Sequence, residues 1–200
     1  MTRFLLATHN PDKVKEIEAI FRDAIGDEVE FVSGIDPGEV IEDGDTIEEN
    51  SMIKATAWLD VNPDCIVLSD DTGFFVDGLD GKPGIFASRY AGENATYSDN
   101  CNKVMSELGD NENRKAHFST CATAVRLDSP SIVSVGKIEG LIIDKDRGLS
   151  GFGYDPIFIP SDDPESATFA EMGIGAKNMI SHRARAFRAL AMGIKDAGWC

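Results

Sequence analysis

The chain has 200 residues, 42% of them hydrophobic, which is enough for one globular domain or for two lobes that share a core. Its 35 acidic residues outnumber 19 Lys and Arg residues, and the formal net charge of −16 argues against nucleic acid or an anionic membrane as a partner. The four cysteines have no metal-ligand spacing, and no apolar run reaches the length of a signal peptide or a membrane span, so we expect a reduced, cytoplasmic protein without a membrane anchor.

The N-terminal part of the chain is predicted to alternate between strands and helices. Asn10 followed by Pro11 has the pattern of an N-cap with proline at the first helical position. Thr46 and Glu49 have the spacing of a capping box at the start of a second helix. The predicted elements are a strand at residues 3–8, a helix from residue 11, a strand at 29–32 and a helix from 47 to about 61.

A continuous apolar run at residues 65–68 predicts a strand that is buried on both faces and ends in the segment 69–73, Ser-Asp-Asp-Thr-Gly. In α/β folds, ligands lie beyond the carboxyl ends of strands, where a carboxylate is well placed to hold Mg²⁺. Asp70 and Asp71 are therefore candidates for a metal site. The alternative is a turn in which an Asp side chain caps the loop backbone.

The rest of the chain is predicted to contain a helix, two long strands and a last amphipathic helix. Strands and helices alternate early and two strands pair late, which predicts a mixed α/β sheet rather than a purely parallel one. The predicted elements are a Gly-rich loop at 77–92, a helix at 97–108, strands at 116–127 and 132–143, and a Gly-rich loop at 148–156. The last helix has one apolar stripe formed by Ile180, Ala184, Phe187, Ala191 and Ile194.

The turn between the first strand and the first helix is a candidate phosphate site. Thr8, Asn10 and Lys13 lie where backbone N–H groups and the helix dipole favour an anion, and Lys13 adds a positive charge. The glycine and lysine pattern of a P-loop is absent from the sequence. The alternative is that Asn10 serves only as an N-cap.

Two segments near the C-terminus have the composition of a pocket for a base. Residues 152–156, Phe-Gly-Tyr-Asp-Pro, combine aromatic faces that can stack on a base with one carboxylate acceptor. Residues 174–195 contain no acidic side chain but hold Lys177, His182 and Arg183, a local excess of cations in an acidic chain. The alternatives are an ordinary turn with core aromatics and a solvated helix face.

Taken in register, seven segments of the chain resemble the inosine triphosphatase family, which comprises pyrophosphatases that remove non-standard purine nucleoside triphosphates. The matching segments occur in the family's order and span nearly the whole chain. They are residues 7–13, 42–54, 69–73, 83–92, 151–156, 169–172 and 177–183.

The resemblance implies a single domain over residues 1–200: an elongated mixed α/β sheet in two lobes, with flanking helices and the active site in a central cleft. It also implies a Mg²⁺-dependent enzyme, a purine nucleoside triphosphate as the small-molecule substrate, and a homodimer. Glu42 and Asp71 would bind the metal, Asp71 would also activate water, Asp70 would support them, and Lys54 would act on the phosphates as a second catalytic residue. The implied substrate-binding residues are Thr8, Asn10, Lys13, Thr72, Phe152, Gly153, Tyr154, Asp155, Lys177, Ser181, His182 and Arg183.

Two other functions stay open beside hydrolysis of inosine, deoxyinosine and xanthosine triphosphates. One is a pyrophosphatase of similar fold that acts on modified pyrimidine triphosphates; the segment Ser181-His182-Arg183 argues against it because it matches the purine family. The other is a non-catalytic nucleotide-binding module. Such a module would not need both carboxylates, Glu42 and Asp71.

Overall fold

The computed structural model describes residues 2–26 and 29–200, which form a mixed α/β fold as expected. The strands in this part of the chain are β1 (Arg3–Leu6), β2 (Glu30–Phe31), β3 (Ile66–Val76), β4 (Pro83–Gly84), β5 (Lys115–Val125), β6 (Ile132–Ile142) and β7 (Phe158–Pro160). The α-helices are α1 (Pro11–Ile25), α2 (Ile47–Val61), α3 (Tyr97–Leu108), α4 (Phe169–Ile180) and α5 (His182–Asp196). None of the described helices is long and apolar enough to cross a membrane.

The sheet combines parallel and antiparallel pairs, with the strand order β2-β1-β3-β5-β6-β7 and β4 paired to β3. Strand β1 runs parallel to both of its neighbours, and Leu6 lies opposite Leu68 of β3. Strands β3 and β4 pair antiparallel, as do β6 and β7. The mixed sheet predicted from the sequence is therefore confirmed.

The first two helices begin where their capping residues predict. The Asn10 side chain accepts hydrogen bonds from the backbone N–H groups of Asp12 and Lys13, at 2.9 and 3.3 Å. At the start of α2, Thr46 Oγ1 accepts from Glu49 N at 3.1 Å. The reciprocal bond of the expected capping box is displaced by one residue, because the Glu49 carboxylate accepts from Asp45 N at 2.7 Å.

Strand β3 is longer than the sequence analysis predicted, and this changes the setting of the two aspartates. The predicted strand ended before Ser69, whereas β3 continues to Val76, so Asp70 and Asp71 lie inside a strand and not beyond its end. The continuation is held by β4, since Phe74 pairs with Gly84. That partner strand is only two residues long, and the sequence offered no signal for it.

The sequence analysis also missed helix α4. Thr168 and Glu171 form a complete capping box at its start. The helix is interrupted at Gly173, whose φ of 74° and ψ of 165° are not helical, and this break hid the pattern. Ile180 therefore belongs to α4, while the other members of the expected apolar stripe lie on α5.

The chain divides into two compact units, each with its own apolar core. Unit 1 comprises Met1–Asp71, Thr120–Gly136 and Arg183–Cys200, and unit 2 comprises Thr72–Ser119 and Lys137–His182. In unit 1, Phe4, Phe21 and Phe187 are fully buried in one cluster. In unit 2, Phe74 and Phe158 are fully buried in a second cluster. Each unit also holds its own group of charged and polar side chains, described next.

Candidate active site

Unit 1 brings together two lysines and three of the carboxylates that the resemblance singles out. Lys13 Nζ lies 3.1 Å from Asp70 Oδ1. Lys54 Nζ lies 2.8 Å from Glu42 Oε2 and donates to the backbone carbonyl of Asp70 at 3.1 Å. Burial raises the pKa of Asp71, and the negative charges of Glu42 and Asp70 raise it further. We call these five residues the charged cluster.

Local structure explains how two members of the charged cluster, Lys13 and Glu42, are positioned. Lys13 lies in the first turn of α1, directly after the Asn10 cap, and Asn10 N donates to Thr8 Oγ1 at 3.2 Å. Glu42 lies in the loop before α2, where Gly44 N donates to Asn50 Oδ1 at 2.9 Å. The predicted phosphate turn therefore adjoins the predicted metal ligands within one unit.

The two neighbouring aspartates have opposite electrostatic behaviour. Burial alone would raise the pKa of Asp70, but Lys13, Arg183 and Lys54 together hold that pKa well below its usual range. Burial raises the pKa of Asp71, and the two lysines oppose this only in part. Asp70 is thus a fixed anion, whereas Asp71 gains from any added positive charge or proton.

The two lysines differ as well. Burial lowers the pKa of Lys13, and the nearby cations Lys54 and Arg183 lower it further, against the attraction of Asp70. Burial also disfavours the charged form of Lys54, but the pKa of Lys54 is raised because Asp70, Glu42 and Asp71 together outweigh burial. Lys54 is therefore the more firmly charged of the two groups.

Arg183 contacts the charged cluster through Asp70. Its side chain is only 1% exposed and lies in unit 1, where Nη1 donates to Glu16 Oε2 at 2.7 Å and Nη2 donates to Asp70 Oδ2 at 3.1 Å. Its role as a residue that lines the base pocket stays a prediction from the resemblance, and the guanidinium holds the Asp70 carboxylate. Glu16 was not predicted, since it is 167 positions away in sequence and only the tertiary structure pairs them.

Unit 2 holds a second group of predicted residues around the Phe152 ring. Lys177 Nζ lies 4.5 Å from the centre of this ring and 2.5 Å from Asp155 Oδ2. The Asp155 carboxylate also accepts from Phe152 N at 2.9 Å. Gly151 has a φ of 79°, and a Cβ there would lie 2.2 Å from Asp155 Oδ2, so the turn requires glycine. We call Phe152, Asp155 and Lys177 the aromatic cluster.

The remaining predicted residues of unit 2 have different surroundings. His182 is buried and stacks on Phe118, with ring centres 4.5 Å apart. Ser181, fully buried, ends α4 by donating its N–H to Lys177 O at 2.9 Å. Gly153 O accepts a hydrogen bond from Cys101 Sγ at 3.3 Å.

Two predicted substrate-binding residues need separate description. Tyr154 is 4% exposed, and its hydroxyl donates to Ala87 O at 2.7 Å, so its side chain belongs to the core and not to a pocket surface. Its expected role in binding substrate stays a prediction. Thr72 follows Asp71 in β3 and is half-buried.

The carboxylate oxygens of the charged cluster do not form a metal-binding group of three or more side chains. Within residues 2–26 and 29–200, no group of three or more His, Cys, Asp or Glu side chains is arranged to hold a metal ion. Glu42 and Asp71 are a pair of hard oxygen donors. Such a pair suits a cation that takes its other ligands from substrate phosphates and water.

Comparison with known proteins supports the resemblance on which these residues were chosen. A dITP/XTP pyrophosphatase of Thermoanaerobacter sp. (strain X514) is 45% identical over 94% of both chains, and one from Bacillus subtilis (strain 168) is 43% identical over 96% of both. The structure of the Staphylococcus aureus Ham1 protein is similar with a TM-score of 0.83 and 33% identity, covering 98% of this chain and 100% of that one. The model of the Ham1 family matches residues 4–192, and the chain belongs to that family.

Proposed function

We propose that this protein hydrolyses noncanonical purine nucleoside triphosphates, namely ITP, dITP and XTP, to the nucleoside monophosphate and pyrophosphate, and so cleanses the nucleotide pool. The observation on which this depends most is the charged cluster, where two lysines and three carboxylates meet in one unit. The names of the similar pyrophosphatases support the choice of substrate.

The triphosphate is assigned to the first turn of α1 and to α2. Lys13 and Lys54 neutralise charge on the distal phosphates, which leave as pyrophosphate. Thr8 and Asn10 hold the backbone turn from which N–H groups can meet phosphate oxygens. Asp70 forms an ion pair with Arg183 and another with Lys13, and so keeps the Lys13 side chain in place.

Mg²⁺ is the proposed cofactor, and Glu42 and Asp71 are its proposed ligands. The chemistry of these donors fits, since Mg²⁺ commonly takes one or two carboxylates together with substrate phosphates. The raised pKa of Asp71, caused first by burial and also by Glu42 and Asp70, means that a cation there would relieve an unfavourable concentration of negative charge. When bound, the ion would neutralise phosphate charge and polarise the bond that breaks.

Asp71 is the proposed general base. A water oxygen attacks the α-phosphorus, its proton passes to an Asp71 carboxylate oxygen, and the bond from the α-phosphorus to the bridging oxygen breaks. The electron pair of that bond leaves with pyrophosphate. A carboxylate held within reach of the attacking water can act as a general base by accepting this proton.

The base is assigned to the aromatic cluster of unit 2. Phe152 provides a stacking face, while Lys177 lies over its ring and is held by Asp155. On the basis of the family resemblance, we also assign to the base site Ser181, His182 and the backbone of Gly153. Thr72, which follows Asp71 in β3, is proposed to bind the substrate.

Product analysis tests this proposal against the two other functions. We expect phosphorus NMR of a reaction with ITP and Mg²⁺ to show pyrophosphate and inosine monophosphate as the first products. Orthophosphate with a nucleoside diphosphate would mean that a different bond is cleaved. A preference for modified pyrimidine triphosphates, or binding without turnover, would support the corresponding alternative.

A homodimer, a cytoplasmic location and the absence of a nucleic-acid partner are further proposals. They are supported by the family resemblance, by the cysteine content and by the net charge of −16, respectively. Light scattering of the purified protein measures the first, and a filter-binding assay with duplex DNA and RNA measures the last.

A further inference from the structure

The start of helix α3 lies against the segment of unit 2 that is proposed to hold the base. Tyr97 is the first residue of α3, and the centre of its ring lies 5.9 Å from the centre of the Phe152 ring, at an interplanar angle of 46°. Cys101, one helical turn later, donates its S–H to Gly153 O at 3.3 Å. One face of α3 therefore contacts both residues of the Phe152–Gly153 pair.

The backbone at Tyr97 is firmly held by its own helix. Thr96 Oγ1 accepts from Asp99 N at 3.1 Å, and Asp99 Oδ2 accepts from Thr96 N at 2.9 Å, which completes a capping box. The Tyr97 side chain is nevertheless 44% exposed, so it is not used as core. A large aromatic side chain is thus presented at a fixed position beside Phe152.

The Phe152 ring by itself is too small to cover a purine. Lys177 Nζ lies over the ring at 4.5 Å and is buried with its partner Asp155, so a stacked base takes the opposite face. A purine has two fused rings and extends beyond the edge of one phenyl ring, whereas a pyrimidine does not. The Tyr97 ring, whose centre lies 5.9 Å from that of Phe152, is near enough to contact the part of the purine that Phe152 leaves uncovered.

We propose that Tyr97 is a second aromatic contact for the purine base. This inference rests on the proposed function, in which Phe152 stacks on the base. Tyr97 makes no proposed contact with the phosphates, and its contribution is confined to ligands that contain a base.

The test compares ligands with and without a base in two variants of Tyr97. Tyr97→Leu keeps apolar bulk against the loop but removes the aromatic face, and Tyr97→Phe keeps the ring. Asn102→Ala, an exposed change on the same helix, is the control. The measurements are KM for ITP and the inhibition constants of inosine monophosphate and pyrophosphate, with thermal unfolding to verify the fold.

For Tyr97→Leu we expect KM for ITP and the inhibition constant of inosine monophosphate to rise about 3- to 10-fold. The inhibition constant of pyrophosphate should not change, and Tyr97→Phe should resemble the parent protein. Equal shifts for both inhibitors, or no shift for inosine monophosphate, would overturn the proposal. If the parent protein does not hydrolyse ITP, the proposed function fails, while calorimetric binding of inosine monophosphate to the same variants still tests Tyr97.

Discussion

Arg183 and Asp70 form a fully buried ion pair in unit 1, with Nη2 and Nε of the guanidinium at 3.1 and 3.3 Å from the same carboxylate oxygen. The other oxygen of Asp70 faces Lys13 at 3.1 Å. One carboxylate thus links α5, β3 and α1 beside the proposed metal ligands. The pair explains why Asp70 is a fixed anion and why its neighbour Asp71 can serve a different purpose.

Substituting Asp71 tests the proposed base. Asp71→Asn keeps the shape of the side chain but removes the charge, so we expect turnover of ITP to fall at least ~10²-fold. Asp60→Asn, an exposed change at the end of α2, is the control for loss of one charge. Normal turnover by the Asp71 variant at saturating Mg²⁺ would remove this residue from the mechanism.

The two neighbouring aspartates should affect stability in opposite directions. The pKa of Asp71 is raised in the folded protein by burial and by Glu42 and Asp70, so its ionised form costs stability once the pH exceeds the folded pKa. We therefore expect Asp71→Asn to raise the Tm at pH 7 without Mg²⁺. The gain should shrink as the pH falls through the folded pKa towards 3.8, the ordinary value.

Asp70 provides the matched comparison. Its folded pKa is depressed because Lys13, Arg183 and Lys54 outweigh burial, so its ionised form adds stability above the ordinary value of 3.8, and that stability is lost as the pH falls further. Asp70→Asn leaves buried cations without their carboxylate and should cost about 3–5 kcal/mol at pH 7. Calorimetry gives the Tm of both variants at pH 7 and pH 4. If both substitutions shifted the Tm in the same direction at pH 7, the opposite electrostatic roles of the two aspartates would be contradicted.

Arg183→Lys separates a positioning role from reading of the base. Lysine keeps the charge but cannot bridge two carboxylates with a planar fork. We expect kcat/KM for ITP and for ATP to fall by the same factor, so that the selectivity ratio stays constant. Arg185→Lys, an exposed neighbour on α5, is the control. A smaller ratio of kcat/KM for ITP to kcat/KM for ATP would instead show that Arg183 reads the base, as the family resemblance implies.

Glu42 should determine how much Mg²⁺ the enzyme requires. Glu42→Gln removes one of two proposed charged ligands, so we expect half-maximal activity to need at least ~10-fold more Mg²⁺. Glu39→Gln, an exposed change in the same loop, removes the same charge at a position that is no proposed ligand. Activity that persists after chelation with EDTA, or an equal effect of both variants, would contradict the proposed metal site.

A buried hydroxyl network beneath the charged cluster should contribute to stability. Ser51 Oγ donates to Thr123 Oγ1 at 2.8 Å and lies 2.9 Å from Ser69 Oγ, which itself donates to Ser51 O at 2.6 Å. Ser51→Ala leaves buried hydroxyls with fewer partners and should cost about 1–3 kcal/mol in chemical denaturation. Thr56→Ala, on the exposed side of the same helix, should have a much smaller effect.

The sequence by itself determined the starts of several helices and the chemical types of residue in the site. Caps such as Asn10 and Thr46 set helix starts because their side-chain oxygens satisfy N–H groups within three residues. Helix α3 has the predicted bounds, since its capping box and apolar spacing are both local. The segments that match the family could also be recognised, because both their residues and their order are properties of the sequence alone.

Only the tertiary structure decided which of these groups meet. Asp70 and Asp71 lie inside β3, which pairs with β1, β4 and β5. The Tyr154 ring lies in the core, where it stacks on Phe74. Arg183 pairs with Glu16 and Asp70, more than a hundred positions away. Such partners are brought together by the packing of whole helices and strands. The opposite pKa shifts of the adjacent residues Asp70 and Asp71 therefore follow from their tertiary surroundings and not from the local sequence.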